Sequence, residues 1–237
     1  MIEKAAIFWS GGKDSAFALY KTLKGEHSSS PFEVCYLVTT INAEFKRISM
    51  HGVREELLDA QAKSIGIPLK KMFVPANCTN DEYEEQLSLV FKELKKEGIT
   101  TIIYGDIFLE DLKVYRENLL AKSDLKGHFP LWKKNSSRLI LDFLEAGFKT
   151  LTCCVKSDLL NKEQSGKIID KQFINSLSGN IDPCGENGEF HTFCFEGPIY
   201  KNRINFVIGK TVFKPYSVKT ANDLLQHGFW FTDILPV

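Results

Sequence analysis

The first fifteen residues constrain this chain more than any other segment. A short apolar run, Ala5–Trp9, stops at the string Ser10-Gly11-Gly12-Lys13-Asp14-Ser15, and a helical pattern follows from Ser15 to Leu23. A continuous apolar run bounded by glycines reads as a buried strand, and the glycine pair lets the backbone turn sharply and approach an anion closely. Strand, glycine turn and helix in that order aim backbone N–H groups and the positive end of a helix dipole at one point. Lys13 adds a full positive charge there, and Ser10 and Ser15 add hydroxyl donors. Asp14 repels phosphate, so its use would be to hold Mg2+ or to brace the loop. The plain alternative is a glycine turn that only caps a helix. This is not a Walker A loop, which needs G-x-x-x-x-G-K-[ST]. The near match at Gly209-Lys210-Thr211 has Ile204 where the first glycine belongs, and it reads instead as a hairpin turn between Ile204–Ile208 and Thr211–Phe213.

The alternation continues through the first half. Strands are expected at Phe32–Ile41, Leu69–Val74 and Thr100–Tyr104, and helices at His51–Ile65, Asp81–Lys96 and Leu109–Leu120. Strands alternating with helices imply right-handed crossovers, a mostly parallel sheet, and a ligand beyond the carboxyl ends of the strands. Three polar clusters fall at those ends: Ser10–Ser15, Thr39–Asn42 and Gly105–Asp106. In the second half, helices are expected at Ser137–Ala146 and Lys167–Leu177 and a strand at Thr150–Val155. Asp182–Pro198 is dense in Gly and Pro and reads as a loop, and Ser28-Ser29-Ser30 as a surface loop. The division expected is an ATP-binding domain at 1–125 and a smaller α/β substrate domain at 126–237.

Composition narrows the function classes. The 30 Lys and Arg balance the 30 Asp and Glu, so there is no global positive field of the kind that draws general nucleic-acid binders. The N-terminal apolar run is too short for a signal peptide, and no stretch approaches the roughly 18 apolar residues that span a bilayer. The six cysteines contain no C-x-x-C pair and are expected as free thiols. A cytoplasmic protein with no membrane partner is the expectation, with a homodimer as the oligomer left open.

A second polar string, Gly185-Glu186-Asn187-Gly188-Glu189-Phe190-His191-Thr192, suits a tight loop lining a pocket. Glu186 and Glu189 could orient ammonia, accept its proton, or bind a cationic group, and His191 could hydrogen-bond or relay a proton. A solvated loop is the alternative.

Ser10–Ser15 after a first strand resembles the PP-loop of the N-type ATP pyrophosphatases, with their adenine-nucleotide α-hydrolase-like, Rossmann-like fold. The second string resembles the substrate motif of the diphthine–ammonia ligase family. Gln61-Ala62, Gly66-Ile67-Pro68-Leu69, Tyr104-Gly105-Asp106-Ile107, Pro130-Leu131-Trp132 and Gly147-Phe148 extend the likeness over nearly the whole chain. The resemblance implies ATP and Mg2+ as cofactors and adenylylation of a small-molecule or protein-borne carboxylate. Pyrophosphate is then lost, and ammonia displaces AMP. It also implies that Lys13, Asp14, Glu186, Glu189 and His191 serve catalysis. Ser10–Ser15 with Gly105 and Asp106 would bind nucleotide, and Gly185–Glu189, His191 and Thr192 the acceptor. The diphthamide branch reads Glu-Gly-Gly-Glu-(Phe/Tyr)-Glu-Thr, whereas Asn187 and His191 stand here for a Gly and a Glu. Loss of that anion argues against an acceptor bearing a quaternary ammonium. It resembles a separate branch of the family linked to corrinoid salvage.

Other residues carry weaker signals. Asp106, at a strand's carboxyl end, is the metal candidate, and Asp111 reads as an exposed helix start. His51 and Arg54 could contact nucleotide or face water, while Trp132 reads as core. Cys184, His191 and Cys194 match no common zinc spacing. Cys153 and Cys154 read as core on a strand. The rival to an enzyme is an ATP-binding sensor without turnover, which has no need of a second polar motif. A pyrophosphatase acting on a corrinoid-related or tRNA substrate is the third reading.

Overall fold

A computed structural model describes residues 2–25, 31–48, 51–219 and 224–237. The serine run 28–30 lies outside them. The first half contains β1 (Glu3–Phe8), α1 (Lys13–Leu23), β2 (Phe32–Asn42), β3 (Arg47–Ile48), α2 (Glu55–Ile65) and β4 (Leu69–Val74). It continues with α3 (Asn80–Lys96), β5 (Thr101–Ile103), α4 (Glu110–Ala121) and β6 (Lys126–His128). β4, β2, β1, β5 and β6 lie side by side and parallel, and β3 adds a short antiparallel pairing at the end of β2. The chain moves outward from β1 through β2 to β4, then returns to the other side of β1 with β5. That reversal opens a crevice between β1 and β5, where a doubly wound sheet binds its ligand. The Rossmann-like α/β reading is therefore what the chain adopts.

Period-two alternation sends β1 side chains to two different cores. Ala5 and Ile7 join Phe17 and Leu19 of α1 and Leu57 and Leu58 of α2. Ala6 faces the opposite side, with Leu87, Phe91 and Leu94 of α3 and Leu119 and Leu120 of α4. Helix limits have local causes. α3 opens on a capping box between Thr79 and Glu82. α2 begins at Glu55 rather than His51, because Gly52 at φ +68° donates to the Ile48 carbonyl and Arg47 bridges to Arg54. β6 was not expected; Lys-Gly-His has no apolar pattern and is strand only because β5 offers its edge.

The second half contains α5 (Ser136–Glu145), β7 (Lys149–Lys156), α6 (Lys171–Ser176), β8 (Phe190–Glu196), β9 (Phe206–Lys219) and β10 (Leu224–Pro236). These four strands form an antiparallel sheet in the order β8-β7-β10-β9. Three expectations are corrected. Gly209-Lys210 is not a hairpin turn: β9 runs through it, pairing with β10 from Phe206↔Pro236 to Lys219↔Leu224. Between Thr211↔Thr232 and Ile208↔Ile234, β9 holds one more residue than β10, so the glycine marks a bulge. The helix expected over 167–177 shrinks to six residues, because Ile168 bridges to Leu151 and Asp170 caps from inside the run. The loop expected over 182–198 ends at Phe190, where β8 begins, buried nearly throughout.

One core joins the halves. Trp9, Phe17 and Leu57 share it with Phe143, Phe148, Phe193 and Phe195. At its centre is a polar residue, Gln61, fully buried on the inner face of α2. Its Oε1 accepts from Trp9 Nε1 at 2.9 Å, and its Nε2 donates to Gly11 O at 2.9 Å and Cys194 O at 2.6 Å. Gln61→Leu fits the volume but strands the indole N–H and takes one of two donors from each of the Gly11 and Cys194 carbonyls, which keep Cys194 N and the Tyr200 hydroxyl. Urea denaturation should show a loss of about 2–4 kcal/mol, and a loss below measurement error would overturn this role.

Candidate active site

The glycine loop leaves β1 and enters α1 with Gly12 as the N-cap and no side chain capping the helix. Gly11 sits at φ +72°, a region that favours glycine. Gly12 is needed for closeness: a Cβ there would lie 3.0 Å from Thr192 Oγ1 and 3.1 Å from His51 Cε1. Gly105 meets the same helix end from β5, with a Cβ position 2.9 Å from the Asp14 carbonyl carbon. Within the loop, Ser10 Oγ lies 3.2 Å from Ser15 Oγ and accepts from Gly12 N, while Ser15 Oγ donates to Gly12 O.

β8 docks directly on this loop. Thr192 Oγ1 accepts from Lys13 N at 2.9 Å, and Cys194 N donates to Gly11 O at 2.8 Å. The two strings, about 180 residues apart, therefore share one site. His51 Nδ1 lies 3.1 Å from Thr192 O, and the His51 and His191 rings pack 4.6 Å apart. Burial lowers His51 to about 4, and burial, His51 and Lys13 together hold His191 well below its ordinary value. Both imidazoles are neutral at pH 7.

Lys13 is 3% exposed, and its Nζ donates to both Asp14 carboxylate oxygens at 2.7 and 2.8 Å. Burial works against the ammonium, but Asp14, Cys184 and Glu186 outweigh it, and the net shift is upward. The Asp14 carboxyl is also raised, by burial first and then by Asp182 and Asp106 against the pull of Lys13. The Lys13 rise reflects the negative groups beside it, whereas the Asp14 rise is first an effect of burial. Phosphates could join these carboxylates only with a compensating cation.

The structure also shows what holds these carboxylates. Asp106 is 8% exposed and ion-paired to Arg116 of α4 at 2.7 Å. The Arg116 guanidinium also covers the Tyr104 ring at 4.3 Å. Glu186 Oε1 accepts from Ile107 N at 2.7 Å and Phe108 N at 3.4 Å, tying its loop to the end of β5. Burial and the Asp14 charge raise Glu186 to about 7 against the pull of the Ile107 N–H. Glu189 turns into its own loop, with Oε1 accepting from Asp182 N and Asn187 Nδ2. Gly185 and Gly188, at φ +70° and +81°, make the reversals that fold this loop.

Some residues lie apart. Asn42 Oδ1 closes a turn with Glu44 N and Phe45 N. Arg54 forms a bidentate ion pair with Asp233 of β10, joined by Arg47. Asp111 is exposed. Trp132 packs on Phe129. Cys153 and Cys154 are both buried, and among the described residues no three His, Cys, Asp or Glu side chains gather as a metal-ligand group. The sequence reading assigned no role to Arg116 or Asp182, and it quoted Gln61 only within the resemblance. Gln61 was detectable as a polar interruption of the apolar stripe Leu57-Leu58-Ala62; Arg116 carried no such signal.

Parallel sheet, crevice and glycine loop at a helix N-terminus define a Rossmann-like α/β protein. The chain belongs to the diphthamide synthase family: the model of that family's N-terminal domain matches residues 3–127 and that of its C-terminal domain residues 135–221. It is 22% identical over 223 residues to diphthine–ammonia ligase of Homo sapiens, covering 85% of this chain and 82% of that protein. The Danio rerio protein of that name is 24% identical over 230 residues, 86% of each chain. The Schizosaccharomyces pombe one is 24% identical over 214 residues, 82% of this chain but 34% of its own length. No helix among the described residues is long and apolar enough to cross a membrane.

The Glu186 shift has a thermodynamic consequence. A carboxyl raised from the usual 4.5 to about 7 binds its proton more tightly folded than unfolded. Its contribution to stability is complete below pH 4.5 and is lost as pH rises through 7. Glu186→Gln should remove that decline, of order 2 kcal/mol, from stability measured across this window. An unchanged slope would mean that Glu186 titrates normally.

Proposed function

We propose that this chain is an ATP-dependent amide ligase, in which the acceptor carboxylate attacks the α-phosphate of ATP, pyrophosphate leaves, and ammonia displaces AMP from the acyl adenylate. The observation that carries this reading is the seam between β8 and the glycine loop, Lys13 N to Thr192 Oγ1 and Cys194 N to Gly11 O. It sets the Gly185–Thr192 segment against the phosphate site, which a sensor without turnover would not need. The names of the relatives, all diphthine–ammonia ligases, support the same chemistry.

The roles follow from placement. Backbone N–H groups of Ser10–Ser15 and the α1 dipole hold the phosphates, and the Lys13 ammonium, exchanging Asp14 for phosphate, stabilises the departing pyrophosphate. Gly105 allows the end of β5 to close on that helix. Mg2+ held by Asp106, with Asp14 nearby, would neutralise charge between the phosphates and these carboxylates; the hard oxygen donors and the negative groups beside Lys13 fit such an ion. Glu186, close to neutrality at physiological pH, exchanges a proton at its free oxygen. Glu189 and Asn187 shape the acceptor loop with Gly185 and Gly188. Residues 1–125 carry the nucleotide and 126–237 most of the acceptor pocket.

The neutral His51–His191 pair favours a second reading of the acceptor. An uncharged imidazole pair offers hydrogen bonds but no anion to a quaternary ammonium. A carboxylate acceptor without a quaternary ammonium, a corrinoid acid for example, fits it better.

Chromatography of nucleotides after incubation with Mg-ATP, ammonium and each acceptor tests both readings. AMP with pyrophosphate is expected, from one acceptor class only; ADP would overturn the mechanism. Lys13→Ala should lower AMP formation by roughly a hundredfold or more while leaving the fold intact, and unchanged turnover would sink the loop assignment.

A further inference from the structure

Glu189 is 2% exposed, yet its Oε2 is buried without a hydrogen-bond partner among the described residues. No Lys, Arg or His among them forms an ion pair with it. The other oxygen is well held: Oε1 accepts from Asp182 N at 2.9 Å and from Asn187 Nδ2 at 3.2 Å. The carboxylate is thus fixed inside the 182–189 loop through one oxygen, and the other is buried and bare. The same half-use recurs in the loop. Asp182 accepts from Cys184 N and Glu186 N through Oδ1, and Glu186 from Ile107 N and Phe108 N through Oε1. Each carboxylate is anchored through one oxygen.

A buried carboxyl oxygen left without a donor is costly, and a cationic donor serves it best. An oxygen so little accessible could meet only a small one. Mg2+ needs a near-octahedral set of oxygens and keeps several waters, which an oxygen this buried does not accommodate. Ammonium has the size of water, four N–H donors and no demand for a fixed coordination geometry. Glu189 also belongs to the segment that docks on the glycine loop through Thr192. Glu189 adjoins Phe190, whose ring lies 5.8 Å from Lys13 Nζ, and Asn187 is exposed at the outer end of the loop.

We propose that the free oxygen of Glu189 binds the ammonium substrate, with Asn187 as the residue that positions it; the proposal rests on the ligase reading above. Ammonium gives one proton to Glu189, and the freed lone pair forms the C–N bond to the acyl carbon. The C–O bond to AMP breaks with its electron pair leaving on the phosphate, which takes the second proton. Glu189 then returns its proton to water.

Two measurements on the full chain separate this proposal from the ligase reading. The first needs no acceptor: thermal unfolding in ammonium chloride against equal potassium, sodium and tetramethylammonium chloride. Ammonium should stabilise the wild type above the other salts, and Glu189→Gln should abolish that difference. Equal stabilisation by potassium, or no salt-specific effect, would overturn the proposal. The second is AMP formation against ammonium concentration. Glu189→Gln should raise the KM for ammonium about tenfold or more while leaving that for ATP within about twofold. Hydroxylamine, neutral at this pH, should remain a good nucleophile for the variant. Asn187→Gly, at an exposed position, should raise the ammonium KM a few-fold and serves if Glu189→Gln folds poorly. An unchanged ammonium KM in Glu189→Gln would overturn the site. Ammonium-specific stabilisation with no AMP from any acceptor would overturn the ligase reading and leave the ammonium site standing.

Discussion

The structure depends on one buried amide. Gln61 holds the indole of Trp9, the carbonyl of Gly11 and the carbonyl of Cys194, drawing together β1, the glycine loop and β8. A glycine loop has little stiffness of its own, since its residues lose the most freedom on ordering. Here that freedom is removed from outside, by α2 behind the loop and β8 beside it. Gln61 therefore couples the order of the phosphate site to the docking of the second half. An apolar side chain at that position would improve the transfer free energy of the core and leave the site unsupported.

Charge organises the remainder. Asp14 and Glu186 hold the Lys13 ammonium up, and Asp182 and Asp106 add to the burial that raises Asp14. Arg116 balances Asp106 from α4, and backbone N–H groups balance one oxygen each of Asp182, Glu186 and Glu189. This arrangement suits a site that must accept phosphates and a cation together. The histidines face a different condition. Beside a buried lysine, and against one another, they stay neutral.

Much of this was legible in the residues. Parallel alternation, the phosphate loop and the Glu186–Thr192 string all rest on local spacing, and helix limits such as Thr79 with Glu82 rest on capping chemistry. The misreadings were segments whose conformation is set by distant partners. Gly209-Lys210 has the composition of a turn and became a bulge because β10 supplied a ladder on both sides of it. Lys126–His128 is a strand only because β5 had an open edge. Phe190–Glu196 looked like the continuation of a loop until β7 paired with it.

By itself the sequence determined the alternating half, the glycine loop at the start of α1 and the residue types gathered beside it. Those properties follow from local backbone preference and from side-chain identity, which neighbours in sequence settle. Only the tertiary structure decided which groups meet: Thr192 with Lys13, Glu186 with the Ile107 amide, Arg116 with Asp106 and Arg54 with Asp233. It also decided which are charged, since a proton's affinity depends on burial and on neighbours brought from far along the chain. That is why the alternative uses open to Glu189 in the sequence reduce, once it is folded, to a buried carboxylate with one free oxygen.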